Sequence, residues 1–199
     1  MVVKNVGIQG RDKMNYPELK YSNVNLELIT DKLVIDKILQ EIARDLEYRA
    51  NLNPDYVYFE TNYKNTWDKE YYIIKLQKQI IGYLKIMYDS RWDRTSSLLI
   101  VIKKEYRHKG YALKAAKIAL MIIFEIMGMN KLNSCVFGYN KESIKIQQRF
   151  LKLEGIRRDD IYWMGKYWNK YLFGLTKKEY FNTYRIGIIK RKLYRGLTK

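Results

Sequence analysis

Cysteine and histidine each occur once in the 199 residues, as Cys135 and His108. A single cysteine closes no internal disulfide, which suits a reducing compartment. One histidine and one cysteine do not build a metal site, so no metal cofactor is expected. No His or Asp spacing supports Cys135 as a nucleophile, and its apolar surroundings predict a buried, inert thiol. No apolar run reaches membrane-spanning length. The opening Met1-Val2-Val3-Lys4-Asn5 does not begin a signal peptide. Together these absences predict a cytoplasmic protein with no membrane partner. Internal repeats and low-complexity linkers are also missing. Negative charge is scarce, with 21 acidic residues against 38 Lys and Arg, a net charge of +17.

What is present fits a globular chain, with 47% hydrophobic and 15% aromatic residues and enough length to bury a core. The positive charge attracts anions over long range. A compositional bias toward Lys, Asn, Ile and Tyr accounts for it equally well. Three segments are expected: an aperiodic N-terminal extension over 1–23, one domain over 24–180, and a basic C-terminal tail over 181–199. The tail carries Arg185, Lys190, Arg191, Lys192, Arg195 and Lys199 among Ile186, Ile188, Ile189 and Leu193, and is expected to dock as a helix or strand, the alternative being a basic arm for an anionic partner.

Alternation in Asn25-Leu26-Glu27-Leu28-Ile29 predicts a first strand, and Thr30 or Asp31 can cap a helix after it. Leu33, Ile35, Ile38, Leu39, Ile42 and Leu46 recur at roughly helical spacing until Asn53-Pro54 breaks the pattern. Two strands, 71–76 and 80–88, flank a turn at Gln77-Lys78-Gln79. A polar connection over 89–95 leads to a strand over 96–102.

The chain is organised around Leu98 to Leu113. Its β-branched run predicts a buried strand, followed by a short charged loop. Leu113, Ala116, Leu120, Ile123, Phe124 and Met127 then mark a long amphipathic helix, with Gly128 placed to end it. Arg107-x-x-Gly110-x-Ala112 therefore lies where a strand ends and a helix begins. Free N–H groups at a helix N-terminus favour an anion, Gly110 permits close approach, and Arg107 and Lys109 supply charge. The pattern describes a pyrophosphate cradle. The plainer reading is a capped helix with basic residues in water.

Glu105-Tyr106-Arg107-His108-Lys109-Gly110-Tyr111-Ala112-Leu113 after a strand resembles the acetyl-CoA motif of the GNAT N-acetyltransferase superfamily. Tyr139-Asn140-Lys141-Glu142-Ser143 after the strand 132–138 is similar to a second family block. A third spans Glu154–Arg158, Gly165–Asn169 and Leu172–Thr176, with a hairpin turn inside Tyr162–Trp168, and resembles the RimJ/RimL-like branch. The resemblance covers about 71–180. It implies an α/β (α+β) GNAT acyltransferase fold, a central mixed, mostly antiparallel sheet of about seven strands flanked by helices.

The resemblance also implies roles. Backbone groups of Ile100, Val101 and Ile102 would meet the thioester of acetyl-CoA, the co-substrate. Arg107, His108, Lys109, Gly110, Tyr111, Ala112 and Leu113 would cradle its pyrophosphate. Asn140 would contact the pantetheine arm, with Ser143 one turn on; as a plain N-cap, Asn140 needs only its side-chain oxygen. His108 is expected in phosphate contact or exposed. Tyr56, Tyr58, Phe59 and Glu60 fall where relatives border the acceptor.

The acid–base half departs from the family pattern. Gln147 stands where many relatives carry a tyrosine acid, and an amide cannot protonate a thiolate. Ser97 and Cys135 stand where some relatives carry a glutamate. The remaining candidates are Glu60, Asp89 or Asp93 acting through water, or a tyrosine from elsewhere such as Tyr139, so the catalytic residues are left unassigned.

The expected function is transfer of acetyl from acetyl-CoA to a primary amine: a protein N-terminus, small amine or amino sugar. Two alternatives stay open, a tRNA-acetylating toxin-like enzyme and a non-catalytic acyl-CoA-binding module. Expected partners are the amine acceptor and, through the basic surface, non-specific nucleic acid. The chain would act as a monomer or homodimer.

Overall fold

The computed structural model describes residues 19–31, 33–37, 40 and 69–185. Eight strands form one mostly antiparallel sheet in the order β1-β2-β3-β4-β5-β6-β8-β7. They are β1 (Lys20–Tyr21), β2 (Val24–Ile29), β3 (Lys69–Leu76), β4 (Gln79–Ser90), β5 (Thr95–Ile102), β6 (Lys131–Phe137), β7 (Lys152–Trp163) and β8 (Lys166–Thr176). The described residues fall into two compact units, one joining Leu98–Ala119 to the described residues up to Met87, the other joining Tyr88–Ser97 to the described residues from Leu120 on.

In the first unit, β1 to β4 form an antiparallel meander. The eighth strand, one more than expected, comes from Lys20–Tyr21, which pairs with Asn25 and Val24 at the end of the expected extension. Ile74 pairs Gly82 while Lys75 pairs Ile80, leaving Ile81 as an extra residue on β4. Gly82 is required where it stands. A Cβ there would lie 2.1 Å from the Val101 carbonyl oxygen, so β4 and β5 approach this closely only over glycine. Asp31 Oδ1 accepts the Leu33 N–H at 2.8 Å, which makes Asp31 the cap of a helical stretch over 33–37. Leu33 is exposed, unlike a core position.

After β5, a short 3-10 turn (Lys104–Tyr106) leads to helix α1 (Tyr111–Met121). Ala115, Ala116, Ile118 and Ala119 are buried, so the apolar stripe is broader than the seam expected from sequence. In the second unit the helix widens into a π turn (Ile122–Ile126) that buries Ile122, Ile123 and Phe124 in succession. Gly128 then takes φ +67, the left-handed conformation of a helix-ending glycine.

β6 runs parallel to β5 over Thr95–Ser97 and Lys131–Asn133, a pairing that needs the helical crossover. Leu132, Val136, Phe173 and Leu175 form the core face of β6 and β8. Helix α2 (Lys141–Gln147) follows β6, and helix α3 (Lys177–Tyr180), extended by a π turn (Phe181–Arg185), follows β8. Met164 (φ 51) and Gly165 (φ 83) form the two-residue turn of the β7–β8 hairpin, inside the stretch expected to turn. Residues 181–185 are the described start of the expected tail. Tyr180 is fully buried and stacked on Phe124 at 4.9 Å, and the Tyr184 hydroxyl donates to the Arg149 and Phe150 carbonyls. The rest of the tail lies outside the described residues, as do Tyr56, Tyr58, Phe59 and Glu60.

Candidate active site

The first unit brings together ten of the twelve expected donor-site residues. Val101 and Ile102 are buried at the end of β5, and Ile100 precedes them. The Arg107 Nε–H donates to the Ile102 carbonyl at 3.0 Å, which ties the loop to the end of its own strand. Lys109 Nζ donates to the Glu105 carbonyl at 2.8 Å and lies 5.6 Å from the Tyr106 ring centroid. His108 (φ 60) and Gly110 (φ 76) both adopt left-handed backbone and turn the chain into α1. No heavy atom lies within 4 Å of the place a Gly110 Cβ would occupy. The N–H groups of Tyr111, Ala112 and Leu113 have no intrahelical acceptor because they form the first turn. Lys114 is held by Asn23 at 2.7 Å, and Lys117 by the Tyr21 hydroxyl at 3.0 Å. First-turn donors, open backbone and fixed cations are the chemistry that suits an anion.

The other two expected residues lie together in the second unit. Asn140 Oδ1 accepts the Ser143 N–H at 3.0 Å, so Asn140 caps α2 in the way its residue type allows. Tyr139 packs among Phe137, Trp163 and Trp168, with ring centroids 5.6, 6.1 and 5.7 Å away. Burial pushes its phenol up to about 12. Its hydroxyl oxygen is buried without a partner among the described residues, and so is Gln147 Oε1.

Two expectations in this unit need correction. Cys135 is exposed, not buried. Period 2 explains it: Leu132 and Val136 take the core face, which sends Cys135 to the opposite one. Asp89 belongs to β4, not to the polar connection, which is only Arg91–Arg94. Asp89 Oδ1 accepts from the Ser97 hydroxyl at 2.7 Å and Oδ2 from Asn133 Nδ2 at 3.2 Å. Three strands thus meet at one carboxylate, and one of the two positions lacking the family's glutamate holds a hydroxyl bonded to it. Sequence reasoning named Asp89 only as one of several acids. The signal that singles it out is a register between strands, which no local pattern contains.

The profile described as Acetyltransferase (GNAT) domain matches residues 34–150. The chain belongs to the GNAT acetyltransferase family. As a GNAT enzyme it is an N-acetyltransferase with acetyl-CoA as its donor. It is similar to the SPbeta prophage-derived uncharacterized N-acetyltransferase YokL of Bacillus subtilis (strain 168), with 25% identity over 162 residues, 75% of this chain and 86% of that one. Its fold is similar to that of spermidine N-acetyltransferase from Vibrio cholerae in complex with CoA and spermine. That likeness has a TM-score of 0.68 at 16% identity and covers 81% of this chain and 99% of that one. A chimera of the same enzyme, SpeG, with hSSAT gives a TM-score of 0.64 at 19% identity, covering 81% and 99%. Among the described residues no group of three or more His, Cys, Asp or Glu could hold a metal ion, and no helix is long and apolar enough to cross a membrane.

Proposed function

We propose that this GNAT enzyme binds the acetyl-CoA pyrophosphate on Arg107 to Leu113, meets the thioester with backbone groups of Ile100 to Ile102, and touches the pantetheine arm with Asn140 and Ser143. One observation carries the reading: Gly110 sits at φ +76 with open space above it, at the N-terminus of an eleven-residue helix. The acceptor is a small primary amine. Polyamines come first among candidates, since the structurally similar SpeG enzymes are spermidine acetyltransferases. Protein N-termini, the acceptors of the RimJ/RimL-like branch, come second. The amine nitrogen, after losing its ammonium proton, attacks the thioester carbonyl, the C–N bond forms, the C–S bond breaks, and the second proton the nitrogen gives up is balanced by one taken up on the leaving thiolate. The enzyme works in the cytoplasm as a monomer or homodimer and touches nucleic acid only through non-specific charge.

Gly110→Asp tests the donor site by adding bulk and a negative charge beside the pyrophosphate. Calorimetry is expected to show acetyl-CoA affinity falling by a hundredfold or more in a folded variant. Unchanged affinity would remove the cradle from this loop. A second reading, a non-catalytic acyl-CoA-binding module, draws on Gln147, whose amide is no proton donor for a thiolate. Thiol release from acetyl-CoA against a mixed panel of amines, peptides and charged tRNA separates the two.

A further inference from the structure

Asp89 is a carboxylate held at both oxygens by neutral groups. The Ser97 hydroxyl takes one oxygen and the Asn133 amide the other, and Ser97 and Asn133 are themselves partners in the parallel ladder. Asp89 is exposed, so these bonds fix its direction without hiding it. A carboxylate offers about four lone-pair sites, so about two remain.

Other carboxylates of the unit are neutralised within the chain. Glu154 pairs with Lys131 at 2.8 Å, Asp160 with Arg157 at 3.0 Å, and Glu179 with Lys152 at 2.7 Å. Asp93 is closed into its own turn by Ser90, whose hydroxyl donates to it and accepts its N–H. Asp89, like Glu125, Glu142 and Asp159, has no ion pair among the described residues, and of these four it is the one held at both oxygens by side chains of two other strands.

The floor beside it is laid by β6 and β8. Asn133 and Cys135 share one face of β6, opposite Gly174 and Leu172 of β8. Cys135 is exposed, and the space over Gly174 is filled by the Glu154 carboxylate, which Lys131 holds. Two residues beyond Cys135 on the same face, Phe137 begins the aromatic cluster with Tyr139. From Asn133 to Phe137 is about 13 Å at the rise of a strand. A fixed negative charge at one end and an apolar ring at the other match a cationic head on a hydrocarbon stem. At the far end Lys170, 5.8 Å from the Phe137 ring centroid, is itself drawn to Asp160, 3.9 Å away.

We infer that Asp89 anchors the ammonium group of the acceptor, whose hydrocarbon stem lies over Cys135 toward Phe137, with Ser97 and Asn133 as positioning residues. The inference rests on the acetyltransferase reading above and names the acceptor's place within it. A pre-fixed carboxylate loses little side-chain freedom when it pairs, unlike a loose surface ion pair.

Cys135 is the only cysteine and reports on this strip directly. Spermidine is expected to slow iodoacetamide alkylation of Cys135 in the CoA-loaded protein. In Asp89→Asn the half-protecting concentration should rise about tenfold or more, the range for a hydrogen bond to a charged group. The KM for spermidine should rise in step while acetyl-CoA affinity stays within twofold. Ser97→Ala should weaken protection less than Asp89→Asn does, because it frees the direction of the carboxylate without removing its charge, and Ser97→Thr should restore it. Glu27→Gln, which removes a carboxylate of the first unit, should leave protection unchanged. Equal protection in wild type and Asp89→Asn would overturn the anchor. So would an absence of protection by spermidine, hexylamine and a tetrapeptide with a free N-terminus while acetyl-CoA still binds. If acetyl-CoA itself fails to bind, the donor-site reading falls, and protection by amine alone still decides for or against Asp89.

Discussion

Lys85 shows what a single buried residue does to the pH dependence of this enzyme. It is fully buried on β4, opposite Tyr71 of β3. Burial holds its ammonium down at about 7. Tyr71 is pushed up, first by burial and then by the Asp36 charge. An unfolded lysine takes up its proton as pH falls through about 10.5, whereas the folded one waits until about 7. Stability from this residue is therefore full above 10.5, is lost as pH falls to 7, and changes no further below that. Between pH 7 and pH 9 the wild type should gain about 2 kcal/mol relative to Lys85→Met, measured by urea unfolding at both pH values. A constant difference between the two proteins would show that Lys85 stays charged. The sequence carries no trace of this. Lys85 stands in an otherwise apolar strand, and alternation alone gives a lysine there no reason to point inward.

At the scale of elements, most of what the sequence says is local, and local signals were legible. The strand–loop–helix around Gly110 and the caps at Asp31 and Asn140 follow from residue type and spacing. What was illegible depends on pairing. Lys20–Tyr21 joins the sheet only because Val24–Asn25 offers an edge, and Cys135 faces out only because Leu132 and Val136 take the core. Helix α3 is the element most open to test. The Thr176 hydroxyl accepts the Glu179 N–H at 3.3 Å, and Glu179 Oε2 accepts the Thr176 N–H at 2.9 Å, a complete capping box. The box sets the direction in which Tyr180 enters the core. Lys152, followed by the Thr176 backbone and hydroxyl, holds the Glu179 carboxyl down at about 2. This support is present above about 4.5 and is lost as pH falls toward 2. Thr176→Ala should cost about 1 kcal/mol. The amide protection factors of Tyr180 and Tyr184, corrected for intrinsic exchange, should fall in that variant at pH 6, and in wild type only on acidification. Equal exchange in both proteins at pH 6 would mean that packing of Tyr180 alone holds the helix.

For the whole molecule the open question is what a net charge of +17 is for. The donor is a polyanion, so a positive field aids its capture without any nucleic acid. The same field binds nucleic acid by counterion release, with no sequence preference, and such binding weakens steeply with salt. Specific recognition would need a basic cluster with a reading element. Here Lys and Arg are spread along the chain, and the strip at Asp89 is built to hold a cation instead. Residues 186–199 hold five basic and no acidic residues, so they contribute charge out of proportion to their length. Removing them should lower affinity for a mixed-sequence RNA and leave acetylation of spermidine largely intact. Raising salt from 50 to 200 mM should weaken RNA binding by the full chain by about tenfold or more, and by the truncation less steeply. Both assays run on both proteins at the two salt concentrations decide the matter. If charged tRNA proves the better acceptor, and the truncation loses that activity alone, the basic surface is an acceptor site and the amine reading is wrong.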